Sequence, residues 1–116
     1  MKINVERQDI KDWLAALESA SRGERYKGLW KRLYRLSAVP SRSRKSVNIY
    51  KIDKHTKEGD NVVVPGKVLS EGAMSHKVNI AAMEFSAKAL ASLKAANCRV
   101  STIKEMTNES RIKIIV

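Results

Sequence analysis

The sequence predicts a mixed α/β fold, in which N-terminal helices and a basic connector precede a small, irregular core of strand–strand–helix units. Three observations support this class. Apolar residues recur at helical spacing in the first third of the chain, β-branched residues cluster at residues 62–64, and an alanine-rich helical stretch covers residues 86–96. At 116 residues, one domain is the default expectation. We assign residues 1–46 to the helical and basic N-terminal part and residues 47–116 to the α/β core.

Two amphipathic helices are predicted first. Helix one covers residues 9–20, where the apolar residues of one face are Ile10, Trp13, Leu14 and Leu17. Helix two covers residues 24–36, and its apolar arc contains Tyr26, Leu29, Trp30, Leu33 and Leu36. The opposite side of helix two carries Lys27, Lys31, Arg32 and Arg35. We therefore expect helix two to pack on a core with one face and to offer a basic face to anions.

Residues 37–46 form a connector without apolar periodicity. Pro40 prevents the preceding helix from continuing, and Arg42, Arg44 and Lys45 are interleaved with serines. Such a segment gains little by packing on its own protein and becomes ordered when a polyanion supplies charge. The alternative is a disordered linker that has no partner.

The next stretch is predicted to form short strands. Val47, Ile49 and Ile52 suggest a short strand or a strand-to-turn segment. Residues 57–83 fit a meander of three strands, at residues 62–64, 68–69 and 77–83. Pro65 and Gly66 fit a type II turn between the first two strands, because proline pre-sets φ and glycine tolerates a positive φ. The polar residues 70–75 fit a second turn.

The last third begins with a helix over residues 86–96. Ser86 is a suitable N-cap, and Asn97 tolerates the left-handed conformation that often ends a helix. Three short elements are expected after it: a strand at residues 99–101, a turn of helix at 102–106, and a final strand at 111–116. The final strand should be tied into the sheet, since a free apolar tail promotes aggregation.

The charge of the chain is uneven. The formal net charge is +11, of which residues 22–57 contribute +10, residues 1–21 contribute −1 and residues 58–116 contribute +2. A compact domain tolerates such self-repulsion poorly unless a polyanion relieves it. Nucleic acid is the first candidate partner, and its binding surface should include residues 22–57.

Several other classes of protein fit the sequence less well. Cys98 is the one cysteine, so an internal disulfide is impossible, and we expect it in the core. We find no metal-ligand spacing, nucleophile motif or phosphate loop, and we expect no enzyme activity, metal, cofactor or small-molecule substrate. No apolar run approaches the roughly 20 residues that span a bilayer, and the N-terminus lacks a signal-peptide core. We therefore expect an intracellular, soluble protein.

Two competing functions remain open at this stage. The first two helices could form a helix-turn-helix of a DNA-binding regulator, although the outward face of the second helix has no Asn or Gln to read bases. A peripheral membrane protein is the other alternative, but the basic segment lacks an apolar insertion face.

Four segments, taken in their order along the chain, resemble a known family: residues 47–52, 57–60, 62–69 and 76–82. Together they resemble the archaeal and eukaryotic large-subunit ribosomal proteins called L eighteen-e, which are relatives of the bacterial L fifteen type. The resemblance covers roughly residues 17–116. It implies a mixed fold with a superhelical strand–strand–helix winding. It also implies a non-catalytic, cytoplasmic role in the large ribosomal subunit, bound to its rRNA and to neighbouring ribosomal proteins.

The candidate RNA-binding residues come from the basic helix face, from the connector and its continuation, and from the two predicted turns. The resemblance places the connector end and the turn positions in the RNA-contacting part of the family. The full set is Lys27, Lys31, Arg32, Arg35, Arg42, Arg44, Lys45, Lys51, Lys54, His55, Lys57, Lys67, His76 and Lys77.

Overall fold

The computed structural model describes residues 8–23, 26–39, 46–107, 109 and 111–116, without the side chains of residues 8–10 and of Lys27. This part of the chain contains five helices and five strands, which confirms the mixed α/β class. The helices are α1 Gln8–Ser21, α2 Lys27–Ser37, α3 Ile49–His55, α4 Ala87–Ala95 and α5 Ile103–Met106. The strands are β1 Ser46–Asn48, β2 Asn61–Leu69, β3 Asn79–Phe85, β4 Arg99–Val100 and β5 Ile112–Ile114.

Every strand pair of the described sheet is parallel, and β2 is its centre. Strand β3 lies along one edge of β2 and has β4 on its far side. The other edge of β2 is shared, because β5 pairs with residues 61–63 and β1 pairs with residues 67–69. The two short strands therefore follow one another along the same edge.

The predicted meander with a Pro65–Gly66 turn is wrong. Strand β2 runs unbroken through both residues, and the glycines with positive φ among the described residues are Gly59 and Gly72. Pro65 lies where the neighbour of β2 changes from β5 to β1 and where the register with β3 shifts. A proline at such a break sacrifices little of the hydrogen-bond ladder. A strand that is buried on both faces of a parallel sheet has a continuous run of apolar residues. In β2 the Pro65–Gly66 pair interrupts this run and resembles a turn in the sequence, although the strand continues through it.

Helices cover both faces of the sheet. On one face, α1, α2 and α5 pack against Val63 and Ala81, and this core contains Trp13, Leu17, Trp30, Leu33, Ile103 and Met106. The Trp13 indole N–H donates to the Ser37 hydroxyl over 2.9 Å and joins the start of α1 to the end of α2. On the other face, α3 and α4 pack against Val62, Val64 and Val68. The structure is thus a three-layer sandwich of helices, sheet and helices.

Most other predicted elements are confirmed. Ser86 caps α4 by accepting a hydrogen bond from the Ala89 N–H, and Asn97 has a φ of 63°. A capping box begins α5 at Thr102, and β5 is tied to β2.

Two expectations are wrong. Tyr26 was expected in the apolar arc of helix two, but it precedes α2 with a φ of 56° and is exposed. The segment with Ile49 and Ile52 was expected to be a short strand or a strand-to-turn segment, but it forms helix α3. Ile49 and Ile52 lie one helical turn apart and are both fully buried, so tertiary packing decides the conformation there.

Candidate nucleic-acid interface

The outward face of α2 is basic, as the helical spacing predicts. Trp30 and Leu33 are fully buried against the sheet, whereas Lys31, Arg32 and Arg35 are exposed on the opposite side. Within the described residues, no carboxylate lies within 4 Å ion-pair distance of these three cations, which we call the α2 group. Lys31 and Arg35 also line a shallow groove of about 290 Å³. Glu18 lines the same groove without forming an ion pair with either cation, so the α2 group has no acidic partner among the described residues.

Four candidates have positions or side chains outside the described residues. Arg42, Arg44 and Lys45 belong to residues 40–45, and the side chain of Lys27 is not described. Ser46, the last residue of the connector, pairs with Lys67 in the sheet. Lys67 was expected at a turn, but it lies inside β2 and is half-buried.

Lys57 and Lys77 come together at the amino end of the sheet. A turn over residues 57–60 precedes β2, and its Gly59 N–H donates to the Lys77 carbonyl over 2.8 Å. Both lysine side chains are exposed. Lys67 lies six residues further along β2 than Asn61, the register partner of Asn79, and at about 3.3 Å per residue it is roughly 20 Å away from this end. Lys67 and Lys77 therefore do not form one turn surface.

Helix α3 contributes a second cluster of cations. Lys54 and His55 are exposed, while the Lys51 amino group donates to the Val116 carbonyl. We call Lys51, Lys54, His55, Lys57 and Lys77 the α3 group. Because α2 and α3 pack on opposite faces of the sheet, the α2 group and the α3 group lie on opposite sides of the molecule.

Lys113 joins the α3 group, although the sequence pattern does not single it out. Its amino group lies 2.9 Å from an Asp60 carboxylate oxygen and 3.4 Å from the His55 carbonyl. The hydrogen bond from Lys113 and a second one from the Lys57 N–H lower the pKa of Asp60. The alternation Ile112–Lys113–Ile114 is the signal that could have placed this lysine on the α3 face.

His76 faces the interior of the protein rather than the solvent. Its side chain is 15% exposed, and its ring nitrogens lie 2.7 Å from the Thr56 hydroxyl and 3.3 Å from an Asp53 oxygen. The Ser75 N–H and hydroxyl also donate to Asp53, and they lower the pKa of that carboxyl together with the nearby His76. His76 thus ties the loop before β3 to the end of α3.

Other kinds of site are not evident in the described part of the chain. Across those residues, no group of three His, Cys, Asp or Glu side chains is arranged to hold a metal ion. None of the described helices combines the length and apolar character needed to cross a membrane. Cys98 is buried in the core, as expected.

Comparison with known proteins identifies close relatives. The large ribosomal subunit protein eL18 of Sulfurisphaera tokodaii is 42% identical over 83 residues, which cover 72% of this chain and 70% of that protein. The eL18 of Methanothermobacter thermautotrophicus is 37% identical over 91 residues, covering 75% of each chain. The eL18 of Thermoplasma acidophilum is 39% identical over 82 residues, covering 71% of this chain and 68% of that protein. No protein-family model matches the chain.

Proposed function

Because the chain belongs to the eL18 family of large ribosomal subunit proteins, we propose that it binds folded large-subunit rRNA through its basic surface and stabilises that fold. Its role in the subunit is structural, and it is not an enzyme.

The proposed contacts are the α2 group, the α3 group and the connector residues Arg42, Arg44 and Lys45. Lys27 and Lys67 are also proposed contacts. His76 contributes by holding the loop that carries Lys77. Neighbouring ribosomal proteins are the other proposed partners.

The observation that carries the proposal is the uncompensated charge of the α2 group. Lys31, Arg32 and Arg35 project from a helix whose other face is fully buried, so the backbone that carries them is fixed before any ligand arrives. Cations without acidic partners release counterions from nucleic acid on binding, which makes affinity large at low salt and steeply salt-dependent. Folded RNA is recognised largely by shape and by its phosphates, which suits fixed cations on two sides of a thin domain.

The test compares two triple variants of the full chain that lose the same charge. Lys31→Ala/Arg32→Ala/Arg35→Ala removes the α2 group, whereas Lys88→Ala/Lys94→Ala/Lys104→Ala removes three exposed lysines outside the proposed surface. Affinity for large-subunit rRNA is measured at several salt concentrations. Each phosphate that a variant no longer neutralises should reduce the slope of log K against log salt by about 0.7–0.9.

We expect the α2 variant to bind more weakly and with a slope reduced by about 2–3, and the control variant to keep the parent slope. Equal losses in both variants would mean that net charge alone attracts RNA and would overturn the proposed surface. Tighter binding of the parent to a duplex DNA site than to rRNA would instead favour the DNA-binding alternative.

A further inference from the structure

Tyr50 is an aromatic residue that the fold displays instead of burying. Its side chain is 55% exposed, although its neighbours Ile49 and Ile52 are fully buried. Among the described residues, none forms a hydrogen bond with the Tyr50 hydroxyl. The ring is therefore available to a partner on the outer side of α3.

The backbone beneath Tyr50 is held firmly. Its N–H donates to the Glu71 carbonyl over 3.0 Å, and the Glu71 N–H donates to the Asn48 side chain over 3.3 Å. Gly72 packs so closely that a Cβ added there would lie 2.5 Å from the Tyr50 Cβ and 2.7 Å from its nitrogen. The loop at residues 71–72 thus fixes the point from which the ring projects, and little backbone entropy remains to be lost on binding.

A lysine follows the ring on the same face of α3. Lys54 is exposed one helical turn after Tyr50, and residues four apart share a face of a helix. Asp53 is also close, but its carboxylate already accepts hydrogen bonds from Ser75 and lies beside His76. The face consequently presents an aromatic plane next to a positive charge. Asp53 is engaged by Ser75 and His76, and the exposed Glu71 is a second acid close to the Tyr50 backbone.

We propose that Tyr50 stacks on an unpaired base of large-subunit rRNA while Lys54 binds an adjacent phosphate. This inference rests on the proposed function and deepens it, because it names the ligand chemistry of one part of the α3 group. Sequence-specific RNA recognition targets unpaired bases that stack on aromatic side chains. Every base offers a π-face, and alanine substitutions at such positions typically weaken binding by about 5- to 150-fold.

The experiment uses three single variants of Tyr50 and Lys54 in the full chain. Tyr50→Phe keeps the aromatic plane, Tyr50→Leu keeps apolar bulk without it, and Lys54→Ala removes the charged side chain but keeps the ring of Tyr50. For each variant we measure affinity for large-subunit rRNA, its salt dependence, and chemical reactivity of the rRNA bases at nucleotide resolution. Thermal melting verifies that each variant is folded.

We expect Tyr50→Phe to bind like the parent. Tyr50→Leu should bind at least about fivefold more weakly with an unchanged salt slope, and one unpaired base that the parent protects should become reactive. Lys54→Ala should reduce the salt slope by about 0.7–0.9.

Parent-like binding and base protection in Tyr50→Leu would overturn the stacking proposal. If the α2 triple variant still loses affinity in the same assay, the proposed function stands and only the role of Tyr50 is wrong. If that triple variant also binds like the parent, the basic surface is not the rRNA-binding surface, and both proposals fall.

Discussion

Strand β2 and the outer face of α2 are opposites in one small protein. Val62, Val63 and Val64 are completely buried between two helical layers, so every atom of their side chains contributes to folding. Lys31 and Arg35 are exposed and unpaired with acids in the described structure, so they contribute little to it. The contrast teaches that, within α2, the residues for folding and the proposed residues for binding are separate sets.

The largest effect on stability should come from the buried side of α2. Trp30 is 1% exposed, and Trp30→Ala should lower the free energy of unfolding by about 3–5 kcal/mol, because it removes apolar packing and leaves a cavity. Urea denaturation of the free protein measures this loss. The adjacent variant Lys31→Ala is the control and should change stability by less than about 0.5 kcal/mol. Similar losses of unfolding free energy in both variants would contradict the separation of a folding face and a binding face in α2.

Gly72→Ala should have the next largest effect. Gly72 has a φ of 101°, and a methyl group there would collide with the Tyr50 backbone, so we expect a loss of about 1–3 kcal/mol. Thermal or urea unfolding measures it. Gly28→Ala is the matched control, since nothing lies within 4 Å of a Cβ at that position in α2, and it should stabilise the protein by about 0.5–1 kcal/mol. Destabilisation by Gly28→Ala with none by Gly72→Ala would contradict this account of the α3 loop.

Acid should weaken the fold through the carboxylates that support the α3 group. Hydrogen bonds lower the pKa values of Asp60 and Asp53 from about 3.8, so their stabilisation is complete above that pH and is lost as pH falls through the lowered values. Melting temperatures measured between pH 7 and pH 2 should therefore drop most steeply below about 4. Asp60→Asn should flatten this dependence, and a curve parallel to that of the parent would show that Asp60 contributes nothing.

The smallest predicted effect concerns salt and the free protein. Cations without acidic partners repel one another, and added salt screens this repulsion. Raising the salt concentration should therefore increase the melting temperature slightly, and the increase should be smaller in the variant without the α2 group. A decrease in melting temperature with salt would mean that attractive ion pairs such as Lys113–Asp60 dominate the surface instead.

The parts of the fold that sequence predicts well are those governed by local pattern. The faces of α1 and α2, the Ser86 cap and the buried Cys98 follow from spacing and residue chemistry. The course of β2 through Pro65 depends on which strand lies beside it, and the helical state of residues 49–55 depends on burial against the sheet. Non-local pairing of that kind leaves no local signal.

The candidate surface divides in the same way. Helical spacing alone indicates that Lys31, Arg32 and Arg35 face outward. Three other features depend on contacts between residues more than 15 positions apart, which only the folded structure supplies. They are the inward orientation of His76, the ion pair of Lys113 with Asp60 and the exposure of Tyr50.

The most direct test of the central claim is sedimentation of the tagged full-length protein from cells, before and after the ribosomes are washed at high salt. We predict that the protein sediments with the large subunit and stays there through the wash, because many fixed contacts hold it in a shape-matched rRNA site. Release at modest salt, followed by equal rebinding to any RNA or DNA, would contradict a specific structural role for this basic surface.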